Sequence, residues 1–321
     1  ERDKPANQLV LRTIRELSAA FVYPEPSNVE TNRKLWDEYA GAWEGNSTGG
    51  NSTGGNSGES GGGCPAWLQK MGAQVGGRAL VHVGDEWSDE PSLQQVLEEF
   101  VFPYLGRRDL ACCEIGSGGG RVACRVAPRV ASLACFDVSK NMLRAAKAAL
   151  DASGCTNARY VFLKGDGPAS IPPTFDRAFD FVYSFDVFVH LDLHTIWPYF
   201  QAIHRMLRPG GHAFVSTANI LAPLGWERFA RQKKYSVGGF YFLSPDMARA
   251  LAGRAGFDVV QESKWTEGTE NVYYERDFLF VLRKKRPGGD DGGGGGGGGG
   301  TVDDDDDDRV TKTKRAPGGD I

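Results

Sequence analysis

Leu110-Ala-Cys-Cys-Glu-Ile-Gly-Ser-Gly-Gly-Gly-Arg121 decides how the rest of this chain is read. A short apolar run of strand character stops at an acidic residue, Glu114. Gly116, Gly118, Gly119 and Gly120 form a turn, and Arg121 to Arg129 has helical character. Strand, glycine turn and helix in that order begin an open α/β sheet, whose ligands lie beyond the carboxyl ends of the strands. Glycine suits the turn because the backbone passes through φ > 0 and a Cβ would obstruct a ligand lying on the main chain. A dinucleotide fingerprint requires G-x-G-x-x-G. Counted from Gly116, its third glycine would stand at position 121, which is arginine.

Working outward, apolar runs and helical periods alternate regularly, which predicts a parallel sheet. Strands are expected at 110–115, 132–137, 158–163, 178–184, 212–216, 257–261 and 277–282. Helices are expected at 120–128, 140–152, 193–207 and from Ser244, where Ser-Pro-Asp makes a good N-terminus. Upstream, 92–105 places Leu93, Val96, Leu97, Phe100 and Val101 on one helical face, and 79–87 is strand-like. Two amphipathic helices are expected nearer the start, at 6–21 and at 31–43, the second capped by Thr31.

Residues 45–63 repeat Gly, Asn, Ser and Thr, and residues 287–321 are mostly Gly, Asp and Lys/Arg. Neither segment has the apolar surface to offset its ordering entropy, so both are expected to be disordered. The expected organisation is therefore a helical cap over 1–44, a linker over 45–63, an α/β domain over 64–286 and a tail over 287–321. Net charge is −4, and the segment from Lys285 holds six Lys/Arg against nine Asp, so the body is close to neutral. No basic stripe calls for nucleic acid, and no apolar run reaches the ~20 residues of a membrane span; neither partner is expected. The six cysteines show no metal-binding spacing and read as buried thiols of a reducing compartment. The expected location is cytoplasmic. Because the first residue is Glu rather than Met, a lost targeting peptide and an organelle remain the alternative.

The spacing E-x-G-x-G-x-G at Glu114 resembles motif I of the class I S-adenosylmethionine-dependent methyltransferases. The resemblance covers about residues 107–284, through ordered motifs at successive strand ends: Asp137 after the second, Lys164-Gly-Asp-Gly167 after the third, Phe179 to Leu191 at the fourth, and Leu207-Arg-Pro-Gly-Gly211 before the fifth. Trp36-Asp37-x-Tyr39-Ala40-x-x-Trp43 followed by Val83-Gly-Asp-Glu-Trp87 is similar to the front of one bacterial-type subgroup. The family implies a Rossmann-like three-layer αβα sandwich, with a seven-stranded, mostly parallel sheet in the order 3-2-1-4-5-7-6 and an antiparallel last strand.

The implied cofactor is S-adenosylmethionine, whose ammonium, sulfonium and ribose diol suit acidic groups better than a phosphate cradle does. Glu114 and the loop of Gly116, Ser117, Gly118, Gly120 and Arg121 are expected at its methionine end. Asp137 and Val138 are expected at the ribose, and Met142, Asp166 and Gly167 at the adenine. Ser184 and Phe185 are expected beside the sulfonium. Structural alternatives stay open: Asp137 as a helix cap, Asp166 as a turn aspartate, Met142 as core.

Asp186 and His190 are the candidate catalytic pair, His190 as a base if the acceptor must lose a proton and otherwise a hydrogen-bonded structural imidazole. Tyr39 and Trp43 of the cap, and Trp226, Arg228 and Tyr241 of an aromatic, basic insert at 218–243, are candidate acceptor contacts or simple packing residues. No metal site is expected. The function read from these residues is methyl transfer to O, N or S of a small, anionic acceptor. A nicotinamide oxidoreductase, a protein or RNA methyltransferase and a non-catalytic interaction module are the rivals.

Overall fold

A computed structural model describes residues 28–47, 84–85, 88–164, 167–233 and 239–285, with the side chains of the first helix through Gly41. The sheet grows from β1 (Ala111–Ile115), whose side chains alternate between two cores. Cys113 and Ile115 join the apolar cluster on one face, and Cys112 joins that on the other. In β4 (Phe179–Ser184), Phe179 and Val182 enter the first cluster while Phe181 and Tyr183 enter the second. A strand buried on both faces needs apolar side chains at odd and even positions alike, which is why these segments read as continuous apolar runs.

β1 pairs in parallel with β2 (Ser132–Asp137) on one side and with β4 on the other, and β2 pairs with β3 (Ala158–Phe162). β5 (Leu207–Asn219) continues the parallel set beside β4. It is then covered by antiparallel β8 (Asp277–Lys284), which pairs with β7 (Phe257–Glu262). A two-residue strand, β6 (Phe242–Leu243), also pairs with β5. The order β3-β2-β1-β4-β5-β8-β7 is the expected one once β6 is counted. Strand order reverses between β1 and β4, and an α/β sheet opens a crevice for ligands at such a point.

Helices close both faces. α1 is Asn28–Ser47, α2 is Glu90–Phe100, α3 is Ala123–Val126 and α4 is Lys140–Ala152. α5 is Leu193–Met206, α6 is Pro223–Arg231, α7 is Pro245–Arg254 and α8 is Val272–Arg276. α2 buries Leu93, Val96, Leu97 and Phe100 against one face, and α5 buries Ile196, Phe200 and Ile203 against the other. Asp89, Ser139 and Asp192 cap α2, α4 and α5 by accepting from backbone N–H groups of the first turns.

Several boundaries differ from expectation for local reasons. α1 starts at Asn28, so Thr31 lies inside it rather than at its cap, and it runs to Ser47, past the expected linker boundary. The helix expected at 120–128 is only α3 followed by a 3₁₀ turn, Ala127–Arg129, because Pro128 lacks the N–H that would continue it. Pro103 likewise converts the end of 92–105 into a 3₁₀ turn, Phe102–Tyr104. β5 extends through the Arg208-Pro-Gly-Gly turn and beyond Ser216, paired by β4 and β8 along its two edges. α8 was not expected at all. The helix expected at 6–21, most of the linker, most of the strand-like run 79–87 and the tail lie outside the described residues. No described helix is long and apolar enough to cross a membrane.

Gly225 sets how closely α6 can approach the sheet. A Cβ there would stand 1.9 Å from the Asn219 carbonyl oxygen and 2.9 Å from that of Arg276, both backbone atoms that cannot swing aside. We therefore expect Gly225→Ala to lose about 2–4 kcal/mol in urea unfolding. Gly253→Ala in α7, where nothing lies within 4 Å of the Cβ position, should be neutral or gain up to about 1 kcal/mol.

Candidate functional site

The carboxyl ends of β1, β2 and β4 open into a cleft of about 950 Å³, including its mouth, with α1 across it. Its floor is the glycine turn, anchored where the Gly116 and Ser117 N–H groups both donate to the Phe136 carbonyl, at 2.7 and 3.1 Å. Gly116 (φ 72°) has no room for a side chain, since a Cβ would lie 2.4 Å from Val187 Cγ2. Gly118 (φ 51°) faces open space. The glycines thus serve two different ends, close packing at one and an uncovered main chain at the other.

Two carboxyl groups look onto this floor. Glu114 is buried at the end of β1 and accepts from the Tyr183 hydroxyl at 3.2 Å. Burial pushes its pKa well above the ordinary carboxylate range, and the neighbouring Asp137 adds to the rise. Asp137 accepts from the Gly118 N–H at 2.9 Å and from the Ser139 N–H at 2.8 Å. Burial still raises it to about 6, against those backbone donors. Ser117 Oγ is buried on the same wall and has no hydrogen-bond partner among the described residues. Val138, Met142 and Phe185 supply apolar walls. Arg121 also borders the cleft, its guanidinium 3.1 Å from Asp85 and donating to Ser88 Oγ at 2.8 Å.

At the other end stand Asp186 and His190. Asp186 holds φ at 59°, unusual for a residue with a Cβ, and its N–H donates to Ser216 Oγ at 2.8 Å. Its carboxylate meets Arg276 at 2.6 Å, and the same guanidinium reaches Asp277 at 2.6 Å. Burial alone would lower the Arg276 pKa, but the two carboxylates more than reverse this and hold it cationic. His190 Nδ1 lies 2.9 Å from the Gly239 carbonyl oxygen, which can only accept. Nδ1 therefore carries the proton, and Nε2 of the neutral ring keeps its lone pair. Burial lowers the His190 pKa to about 4, opposed by Asp186.

The structure brings Glu114, Gly116, Ser117, Gly118, Arg121, Asp137, Val138, Met142, Phe185, Asp186 and His190 to one cleft. It sets other expected residues elsewhere. Ser184 is buried at the end of β4, its hydroxyl donating to the Ile115 carbonyl at 2.9 Å. Gly120 packs on α4, where a Cβ would meet Ala146 Cα at 3.0 Å, and Gly167 packs on Val29 and the Tyr199 hydroxyl. Tyr39 clusters with Met142 instead of lining the cleft. Trp226 is on the outer surface of α6, Arg228 lies 3.8 Å over the Phe240 ring, and the Tyr241 N–H is spent on the Val189 carbonyl. Asp166 and the Trp43 side chain lie outside the described residues.

Residues not anticipated from the sequence complete the site. Val29, Asn32 and Trp36 of α1 line the cleft, at helical i, i+3, i+7 spacing. Asn32 donates to the His190 carbonyl at 3.2 Å, and the Trp36 ring meets the His190 ring edge-on at 5.1 Å. Tyr273, from α8, forms the wall beside Arg121. The spacing of the first three was readable once the start of α1 was known. Nothing local marked Tyr273 or Arg276.

Residues 112–211 match the methyltransferase-domain family. No curated protein sequence matches the chain. Among solved structures, the chain is similar to magnesium protoporphyrin IX methyltransferase from Synechocystis PCC 6803 with bound SAM, at 13% identity and a TM-score of 0.52, over 82% of this chain and 100% of that one. The same enzyme with bound SAH aligns at 15% identity and a TM-score of 0.51, over 68% of this chain and 95% of that one. At such identities the likeness is one of fold.

His190 makes a pH test of this geometry. Its ring titrates near 6.5 when unfolded and at about 4 when folded. Between those values the unfolded chain binds the extra proton, so stability is lost as pH falls from 6.5 towards 4. Compared with His190→Gln, which cannot titrate, the wild type should lose up to about 3 kcal/mol across that window. An unchanged difference between the two proteins in urea unfolding at pH 7 and pH 4 would contradict the buried neutral ring.

Proposed function

We propose that this chain, whose residues 112–211 match the methyltransferase-domain family, is an S-adenosylmethionine-dependent enzyme that transfers a methyl group to a small, uncharged acceptor seated between Asp186 and His190. The observation that carries the donor half is the pair of buried carboxyl groups, Glu114 and Asp137, facing an uncovered glycine turn. Among the described residues no side-chain cation offsets either one. A ligand with an ammonium and a ribose diol supplies what they lack, and the unpartnered Ser117 hydroxyl offers a further hydrogen bond.

In this reading Glu114 takes the ammonium, whose charge offsets the cost of burying the carboxylate. Asp137 has two of its roughly four acceptor positions occupied by Gly118 and Ser139 and keeps the others for the ribose hydroxyls. Val138 and Met142 flank the adenine, and Arg121, braced by Asp85, Ser88 and Tyr273, stiffens the turn. When bound, S-adenosylmethionine supplies a methyl carbon already activated by its sulfonium. The protein's own task is then mainly orientation, worth up to about 7–11 kcal/mol in favourable systems.

His190 Nε2 accepts the hydrogen of an acceptor hydroxyl or amine. A ring with a pKa of about 4 is a weak base but stays neutral at physiological pH. It aligns the nucleophile and takes its proton late, a contribution of about 10²-fold or less. Arg276 and Arg228 are matched by Asp186 and Asp277, which favours an uncharged acceptor over the anionic one suggested by the basic insert.

Titration with S-adenosylhomocysteine followed by a labelled-methyl screen of metabolite extracts tests the proposal. Glu114→Gln keeps the partner of Tyr183 but removes the charge, and should weaken S-adenosylhomocysteine about 10–100-fold. His190→Ala should lower kcat by about 10–100-fold with donor affinity intact. Preferential binding of a nicotinamide dinucleotide would overturn the donor assignment. Full turnover by His190→Ala would remove the base, and donor binding without methyl incorporation would leave a binding module.

A further inference from the structure

α6 is turned inside out for a surface helix. Its inward side carries Gly225, pressed against the main chain of Asn219 and Arg276, while Pro223, Trp226 and Ala230 face outward at i, i+3, i+7 spacing. Leu221 is 71% exposed, Trp226 57% and Phe229 42%, and the rings of Trp226 and Phe229 lie 5.6 Å apart. Over residues 221–233 the cations Arg228, Arg231 and Lys233 face a single acid, Glu227. Arg231 forms an ion pair with Glu227 at the surface, and both Arg231 and Lys233 are exposed.

The stripe is also continuous with the acceptor end of the cleft. Phe229 contacts Phe242 at 5.4 Å, Phe242 contacts Phe240 at 6.0 Å, and Phe240 contacts His190 at 5.3 Å. An unbroken row of rings thus runs from solvent to the imidazole.

We propose that α6 docks the protein on an anionic lipid surface, with Leu221, Trp226 and Phe229 entering the headgroup layer and Arg231 and Lys233 meeting lipid charge. Binding of this kind needs no spanning helix, only an apolar stripe flanked by cations. A protein partner fits less well: a convex stripe one helix wide falls short of the roughly 800 Å² per side that a stable interface takes. The same rings seat α6 against the wall that carries His190; the docking does not rest on the proposed methyl transfer.

The test is co-sedimentation of the full chain with phosphatidylcholine vesicles, with and without about 30 mol % phosphatidylserine. The wild type should bind the anionic vesicles, less so at high salt. Trp226→Ser/Phe229→Ser and Arg231→Gln/Lys233→Gln should each reduce the bound fraction at least about fivefold. Arg231 and Lys233 are exposed and Trp226 and Phe229 partly so, and S-adenosylhomocysteine titration should match the wild type in both variants. The charge variant keeps the test valid should the aromatic one misfold. Failure of the wild type to bind, equal binding by the charge variant, or a dimer in sedimentation velocity that the aromatic variant abolishes would overturn the proposal. Vesicle binding without S-adenosylhomocysteine binding would support the docking surface and sink the methyl-transfer reading instead.

Discussion

The Asp137 carboxylate accepts from the Gly118 N–H with one oxygen and from the Ser139 N–H with the other, so a single side chain joins the end of β2, the glycine turn after β1 and the start of α4. Burial makes that carboxylate costly to ionise and lifts it to about 6, so the fold holds it only by supplying donors on both sides. The same corner anchors α1. Asp37 accepts from the Ser139 hydroxyl at 2.6 Å and from the Asn141 N–H at 3.3 Å, and Tyr39 and Ala40 pack on Met142. Strand, turn, capped helix and covering helix therefore meet around one acidic position, and the geometry of the cleft follows from it.

The end of the cleft at Asp186 and His190 is built differently, from residues distant in sequence. Asp186 is held in a left-handed conformation by Ser216 and by Arg276, ninety positions along the chain. Arg276 is in turn secured by Asp277, at the start of β8. With Arg228, whose charge also acts on Asp186 and Asp277, two cations meet two carboxylates in this group, and the neutral His190 imidazole stands beside it. Packed rings of Phe240 and Phe242 join His190 to α6. The carboxyl groups of Glu114 and Asp137 and the Asp186–His190 pair thus share one crevice.

The two ends were not equally legible. The donor end is local: Glu114, the glycines and Asp137 stand at strand ends that apolar runs and glycine spacing reveal, and β-strand order followed from the family resemblance. The acceptor end depends on α8, five residues long after a polar stretch, too short for any period to show. Starting α1 at Thr31 pointed to Tyr39 and Trp43, whereas a start at Asn28 brings Val29, Asn32 and Trp36 to the cleft. The insert's aromatics stand out in the sequence, but which of them face solvent depends on Gly225, whose close approach turns α6 over. Ser184, apt by position, is claimed by the Ile115 carbonyl.

The central claim is that Glu114 and Asp137 together form the seat of a methyl donor. A crystal structure with S-adenosylhomocysteine tests it most directly. The account predicts the ribose hydroxyls on Asp137, the α-amino group on Glu114 and the sulfur turned towards Asp186 and His190. Ligand bound elsewhere, or bound in the cleft with neither carboxylate touching it, would contradict the account.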